Sequence, residues 1–369
     1  MKTQRRSWAF GVVLVGALAL SGCGSDATPA AGTASDTGSG SSATANCFSG
    51  NLTGEGSSAQ KNAIEVAISQ YSRKCADANI SYNPSGSGSG IKQFTAGQVD
   101  FGGTDSALTT EEKAKADKMC GSEAIDLPMV VGPIAVAFNV KGLPKVALDA
   151  PTVAKLLSGR ITSWNDPQIA TLNPGVDLPS TPVKVFFRSD DSGTTDNLTK
   201  YLHAAAPTDW PHAPAKKWTG AVGEGKQGSA GVAQAVKGQD GGIGYLEWSY
   251  ASQNSLSTAA ISTGSGTAVP LTAESAGRAV AAAHQVGEGK DLALKLDYTT
   301  KAEGAYPIVL VTYELICSKY TDQAKGAKVK SLMSFMADPL TQQAMQAKGY
   351  APLPSQVREK VASTIAAVS

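Results

Sequence analysis

Strand-type segments that run into Gly/Ser turns and then into helix-spaced apolar residues recur along the chain. They predict an α/β fold, with mixed sheets flanked by helices. Two further observations agree. The 39 Gly and 6% aromatic residues suit many tight strand-to-helix turns, and 42% hydrophobic residues over 369 positions supply a core and length for two or three domains.

From Cys47 the order begins strand, turn, helix. Phe48 and Leu52 precede Gly54-Glu55-Gly56-Ser57-Ser58, and Ile64, Ala67, Ile68 and Tyr71 then recur at helical spacing. Ile80 and Tyr82 lead into Ser85-Gly86-Ser87-Gly88-Ser89-Gly90, after which Ile91 and Phe94 open another helix. Val99-Asp100-Phe101 reads as a short strand ending in Gly102-Gly103-Thr104-Asp105. Thr109 with Glu112 has the spacing of a capping box. Leu127 to Val140 is a long apolar run broken by Pro128, Gly132 and Pro133, suited to a buried strand that crosses between domains. Residues 150–172 suit short helices. Val183, Val185 and Phe187 alternate as a strand that leads into Arg188-Ser189-Asp190-Asp191-Ser192-Gly193-Thr194 and a helix carrying Leu198 and Leu202. Ile243 to Trp248 and Ile308 to Tyr313 are further strands, the latter a return crossing, and Ala- and Met-rich helices close the chain.

Charge and targeting narrow the function. Lys plus Arg (32) nearly balances Asp plus Glu (31), so no basic excess exists to grip nucleic acid. Lys2, Arg5 and Arg6 precede an apolar Phe10–Leu20 run too short for a comfortable membrane span, followed by Leu20-Ser21-Gly22-Cys23. This pattern resembles the lipobox of bacterial lipoproteins, in which Cys23 is lipidated and becomes the mature N-terminus; an ordinary secretory signal is the plainer alternative. Loss of residues 1–22 removes three cationic side chains, leaving 29 basic and 31 acidic ones, so a bound anion must be held by local groups. Residues 23–46 read as a tether of Gly, Ser, Ala and Thr, spanning on the order of 25 Å as a flexible coil.

Four Cys remain in a chain expected to be exported: Cys47, Cys75, Cys120 and Cys317. The helix after the first strand runs back along it and brings Cys75 near Cys47. That favours Cys47–Cys75 and leaves Cys120–Cys317, with buried free thiols as the alternative.

Three places put Ser, Thr or Gly between a strand and a helix: Ser57-Ser58, Ser87, and Ser192-Gly193-Thr194. The first helical turn leaves amides without partners, and Gly admits a ligand close to the backbone. Several such ends aimed at one point make an anion site, whereas each alone is an ordinary N-cap. Arg188 follows a strand and precedes a helix, which sets a guanidinium at the carboxyl end of a sheet. Its alternative is an ion pair with Asp190 or Asp191, and Asp190 can orient the guanidinium while it binds a ligand. Asp105 is the unusual member. A carboxylate beside an anion site makes sense if the anion keeps a proton to donate; phosphate does at neutral pH, and sulfate does not. An acceptor left facing another acceptor costs about 1–3 kcal/mol. The plain alternative is that Asp105 caps a turn.

The segments Gly54–Ser58, Tyr82–Lys92, Val99–Asp105 and Arg188–Thr195 together resemble the PstS family, the phosphate-binding proteins of high-affinity phosphate ABC transporters. Pro128–Gly132 and Gly242–Glu247 extend the likeness over nearly the whole chain beyond the tether, and Cys23 with the four further Cys is most similar to actinobacterial lipoprotein members. The resemblance implies a two-domain hinged periplasmic-binding-protein fold (type II) with the ligand in the interdomain cleft. Residues 47–132 with 310–369 would form domain I and 133–309 domain II. It implies phosphate contacts from Ser58, the Ala59 amide, Ser87, Asp105, Arg188, Ser192, Gly193 and Thr194, with Asp190 behind Arg188. Some members carry Phe where Ala59 stands, a change that keeps the amide and alters the pocket wall. The implied partners are inorganic phosphate, the permease and ATPase components of a transporter, and the membrane through the lipid on Cys23. The protein is expected to act extracytoplasmically as a monomer, without cofactor, metal or catalysis.

Two other readings stand beside this one. The first is an exported phosphatase or hydrolase using Ser58 or Ser87 as nucleophile, and the second is a surface oxyanion sensor. Gly220–Lys226 nearly spells a P-loop, but Gln227 stands where Ser or Thr is needed and no clear strand precedes it. No Gly-x-Ser-x-Gly elbow occurs. His203, His212 and His284 read as surface or core residues, and Trp164, Trp210, Trp218 and Trp248 as packing.

Overall fold

The computed structural model describes residues 46–369; the expected leader, Cys23 and the tether up to residue 45 lie outside the described residues. The chain opens with β1 (Gly50–Gly56), α1 (Lys61–Lys74), β2 (Ala78–Asn83), α2 (Ser87–Thr95), β3 (Phe101–Thr104) and α3 (Thr110–Cys120). The long β4 (Ala124–Asn139) follows, then β5 (Ala147–Asp149), α4 (Ala150–Leu157), α5 (Pro167–Leu172), β6 (Lys184–Arg188) and α6 (Gly193–Ala205). Next come β7 (Glu224–Lys226), α7 (Gly228–Gly238), β8 (Gly242–Glu247), α8 (Trp248–Gln253), β9 (Ser257–Thr258) and β10 (Ala260–Ser262). After α9 (Ala273–Ala281), β11 (His284–Gln285) and β12 (Leu294–Lys295), β13 (Val309–Cys317) returns, and α10 (Gln323–Ala337), α11 (Pro339–Gln346) and α12 (Ser355–Ala366) finish the chain.

One sheet path runs β2-β1-β3-β13-β4-β8-β6-β7, with β9 also on β4. Its two ends are parallel sets, β2-β1-β3 and β8-β6-β7, and its centre is antiparallel. β4 joins them. Residues 124–133 pair with β13, and residues 134–139 pair with β8. Two prolines are tolerated inside this central strand for a visible reason. Pro128 sits where the β4–β13 register shifts between Thr312 and Tyr313, and Pro133 sits where β4 changes partner.

Two hydrophobic cores flank β4. The first gathers Leu52, Ile64, Phe94, Phe101, Met129 and Val130 with Leu315, Leu332 and Met336; the second gathers Ile134 to Phe138 with Trp164, Leu198, Tyr245 and Tyr306. Disulfides join Cys47 to Cys75 and Cys120 to Cys317, the pairing favoured from the strand–helix geometry. Both half-cystines that lie in a core, Cys75 and Cys317, lie in the first.

Several boundaries differ from the sequence expectation. Val99 and Asp100 fall outside β3, because the Asp100 carboxylate accepts from the Thr53 amide at 2.8 Å and hydroxyl at 3.0 Å. α2 begins at Ser87, so part of the Gly/Ser run is already helix. The Gly220–Lys226 stretch contains β7, a three-residue strand too short and polar to show an apolar signature. The Thr109–Glu112 capping box forms as its spacing predicts.

Candidate oxyanion-binding site

The carboxyl ends of strands from both parallel sets meet at one place, where open α/β sheets bind their ligands. β1 delivers Ser57 and Ser58, β3 delivers Asp105, β6 ends on Arg188, and β7 leads to Gly228 and Ser229.

Asp105 is 2% exposed and is surrounded by hydroxyls. Ser57 Oγ and Thr312 Oγ1 donate to its Oδ1, the latter at 2.8 Å. Ser87 Oγ and Thr194 Oγ1 approach Oδ2 at 3.3 and 3.5 Å. Burial raises its pKa, opposed by the Ser57 and Thr312 hydrogen bonds and the Arg188 charge. Close packing sets this arrangement: a Cβ on Gly193 would stand 2.6 Å from both Asp105 Cβ and Ser87 Oγ, so only glycine lets α6 approach.

Arg188 is 1% exposed. Its Nε and Nη2 grip Asp190 at 2.8 and 2.5 Å in a fork. Nη1 reaches Thr194 Oγ1 and Ser229 Oγ, each at 3.3 Å. Burial works to raise the Asp190 pKa, but the Arg188 hydrogen bonds and charge outweigh it and hold the carboxyl below its usual range. Gly228 N also donates to Asp190 at 3.0 Å. Ser58 Oγ lies 3.5 Å from Ser229 Oγ and accepts from Ser229 N at 3.2 Å.

Of the residues expected at the site, Ser58, Ser87, Asp105, Arg188, Gly193 and Thr194 come together, with Asp190 behind the guanidinium. Two are engaged locally. The Ala59 amide donates to Ser57 Oγ at 3.0 Å, and Ser192 Oγ caps α6 by accepting from Thr195 N at 3.1 Å. Ser57, Thr312, Gly228 and Ser229 were not among the expected contacts. Gly228-Ser229 repeats the strand–Gly/Ser–helix pattern of the other three segments, a signal hidden by the weakness of β7. Thr312 lies inside a buried apolar strand and gives no signal.

The contacts from Ser87, Thr194, Ser229 and Ser58 lie at the long end of hydrogen-bond range, so these groups face a common point without saturating one another. Among the described residues, nothing accepts from the amides of Ser58, Gly193 and Thr194. The set can receive a small tetrahedral anion by amides, hydroxyls and one guanidinium, with Asp105 an acceptor for a ligand O–H. A surface cavity bordered by Lys200, Val286, Tyr298 and Tyr313 reaches Asp105 from outside this set. Among the described residues, no histidine is hydrogen-bonded to Ser58 or Ser87: His203 is in the last turn of α6, His212 packs edge-on against Trp210, and His284 is in β11.

Across the cleft, segments of the two cores touch. Gly88 N donates to Asp191 O at 2.9 Å, Asn197 Nδ2 to Asp105 O at 2.7 Å, and Lys216 Nζ pairs with Glu112 at 2.7 Å.

These features define a class: an α/β binding protein whose polar, charged site lies between the carboxyl ends of two parallel strand sets. A family model described as a PBP superfamily domain matches residues 29–339. The chain is 41% identical over 372 residues to phosphate-binding protein PstS 3 of Mycobacterium leprae, covering 100% of both chains. It is 40% identical over 374 residues to phosphate-binding protein PstS 2 of Mycobacterium tuberculosis, again covering 100% of both. A solved phosphate-binding protein from Stenotrophomonas maltophilia shares the fold, with a TM-score of 0.61 and 21% identity over 85% of this chain and 94% of that one. The chain belongs to the PstS family within the PBP superfamily.

Proposed function

We propose that this protein captures inorganic phosphate in the cleft between its two cores and delivers it to an ABC-type permease. The observation that carries this reading is Asp105: a buried carboxylate ringed by hydroxyl donors, beside a guanidinium whose charge is matched by Asp190. Such a site attracts an anion by oriented donors and rewards one that still carries a proton. The names of its relatives support the same ligand. Residues 47–132 with 310–369 form one lobe of this reading and 133–309 the other. β4 and β13 serve as the crossing strands about which the lobes hinge. The protein acts outside the cytoplasm, held to the membrane by a lipid on Cys23, as a monomer, and does not turn over its ligand.

The test is calorimetric titration with phosphate, arsenate and sulfate after bound anion is stripped by partial unfolding. Tight 1:1 binding of phosphate that sulfate cannot displace is expected. Absence of phosphate binding overturns the function, and equal binding of sulfate overturns the role of Asp105. Hydrolysis of a chromogenic phosphate ester, lost on changing Ser58 or Ser87, would replace the binding reading with an enzymatic one. Fatty-acid labelling of the cells that disappears in Cys23→Ser tests the anchor.

A further inference from the structure

A second buried acid lies near the Ser57 turn, and the anion site as described does not use it. Glu314 stands on β13, opposite Gly103 of β3 and Leu127 of β4, with no exposed surface. Among the described residues, neither of its carboxyl oxygens has a hydrogen-bond partner, and neither does Oε1 of the buried Gln60. The two side chains adjoin. The Gln60 amide acts on the Glu314 carboxyl and lowers its pKa, although no pair of their atoms meets full hydrogen-bond geometry. Gln60 Nε2 donates to Tyr82 OH, and Tyr82 OH donates to the Ser57 carbonyl, both at 2.9 Å. Gly103 makes the room: a Cβ there would stand 2.3 Å from both Gln60 Nε2 and Tyr82 OH. Ser57 Oγ then donates to Asp105, as does Thr312, two residues before Glu314 on the same strand.

An ionised Glu314 would be a desolvated charge without a donor, among the least favourable arrangements in a protein interior. A protonated Glu314 carries an O–H that Gln60 Oε1 is free to accept, so a single proton satisfies two orphaned groups. The titratable groups facing it are Tyr82 from β2 and Asp105 from the end of β3. Burial, followed by the Glu314 charge, holds the Tyr82 pKa well above its usual value, so the phenol remains a donor. Burial and then the negative charge of Asp105 push Glu314 up to about 8.

We propose that Glu314 is a positioning residue of the anion site: as a neutral acid it braces Gln60 and Tyr82 against the Ser57 turn and spares Asp105 a second negative charge behind it. Loss of its proton to solvent releases the brace and weakens anion capture. This rests on the phosphate reading above.

The experiment is calorimetric titration of the stripped protein with inorganic phosphate across neutral and alkaline pH. Wild-type affinity is expected to fall above about pH 8, by up to about tenfold per pH unit. Glu314→Gln, which mimics the neutral acid, is expected to hold its neutral-pH affinity and flatten that fall. Glu247 is the internal rival. Burial also pushes it to about 8, and it caps α8 through Ser249 N. Glu247→Gln is expected to leave the alkaline fall in place. A fall that persists in Glu314→Gln, or that vanishes in Glu247→Gln, overturns the proposal. Should Glu314→Gln fail to fold, Gln60→Met decides. Removing the amide that adjoins the acid shifts the pH at which the fall begins, and an unmoved fall overturns the proposal. A wild-type protein that binds no phosphate at neutral pH sinks the functional reading itself; one that binds with a Glu314-independent pH profile sinks only this inference.

Discussion

The two ends of the sheet bring aspartates to the same cleft and treat them in opposite ways. At the β1–β3 end, Asp105 meets four hydroxyls and no direct cation, and burial raises its pKa. At the β6–β7 end, Asp190 meets a guanidinium fork and an amide, and its pKa falls below the usual range. Hydroxyls can turn and re-partner, so Asp105 remains available to a ligand proton. A two-point ion pair cannot, so Asp190 serves to hold Arg188. Residue type does not assign these roles; the neighbours do.

The strongest way to break the comparison is at the ion pair. Arg188→Met leaves Asp190 without its cation. The affinity for phosphate should fall roughly thousandfold, about 4 kcal/mol, as read by calorimetry. An effect under tenfold would mean that the guanidinium is structural and the anion is held elsewhere.

The next test separates the aspartates by stability. Asp190→Asn strands Arg188 and should lower unfolding free energy by about 3 kcal/mol at neutral pH. Because the folded pKa of Asp190 is depressed, its contribution is present above the unfolded pKa and disappears as pH falls through the lower folded value. The gap between wild type and Asp190→Asn should therefore close below about pH 4. Asp105 has the opposite sign. Its raised folded pKa makes the ionised form a cost at neutral pH, so Asp105→Asn should unfold at or above the wild-type midpoint. Denaturant titration of both variants at neutral and acid pH reads the contrast, and parallel losses would erase it.

Selectivity sharpens the same point. Asp105→Asn replaces an acceptor with a group that also donates, so the ratio of phosphate to sulfate affinity should drop by about tenfold or more, with phosphate weakened and sulfate spared. The smallest effect belongs to the rim. Lys216 and Glu112 pair across the cleft at 18% and 26% side-chain exposure, and Lys216→Ala should weaken phosphate only a few-fold, about 0.5–1 kcal/mol. A larger loss would move binding energy from the buried groups to the lobe contacts.

Much of this site was legible as local pattern. The Ser57-Ser58, Ser87 and Ser192–Thr194 turns stand out because strand, small polar turn and helix are consecutive in the chain, and Arg188 stands out because it ends an alternating strand. Ser229 was obscured because β7, the strand before it, has three residues and no apolar periodicity. Ala59 and Ser192 follow the family pattern in sequence, yet the bonds of the Ala59 amide and the Ser192 hydroxyl are spent on the turns they occupy.

By itself the sequence determined the alternation of strands and helices and the three helix starts with their small polar residues. These depend on residues within a turn or two of one another. Only the tertiary structure decided that Thr312 would reach Asp105 from 207 positions away, that Gln60 and Tyr82 would lie over bare Gly103, and that Glu314 would be sealed in without a donor. The charge state of a buried acid is set by what surrounds it, and those surroundings come from distant strands whose register no local pattern encodes.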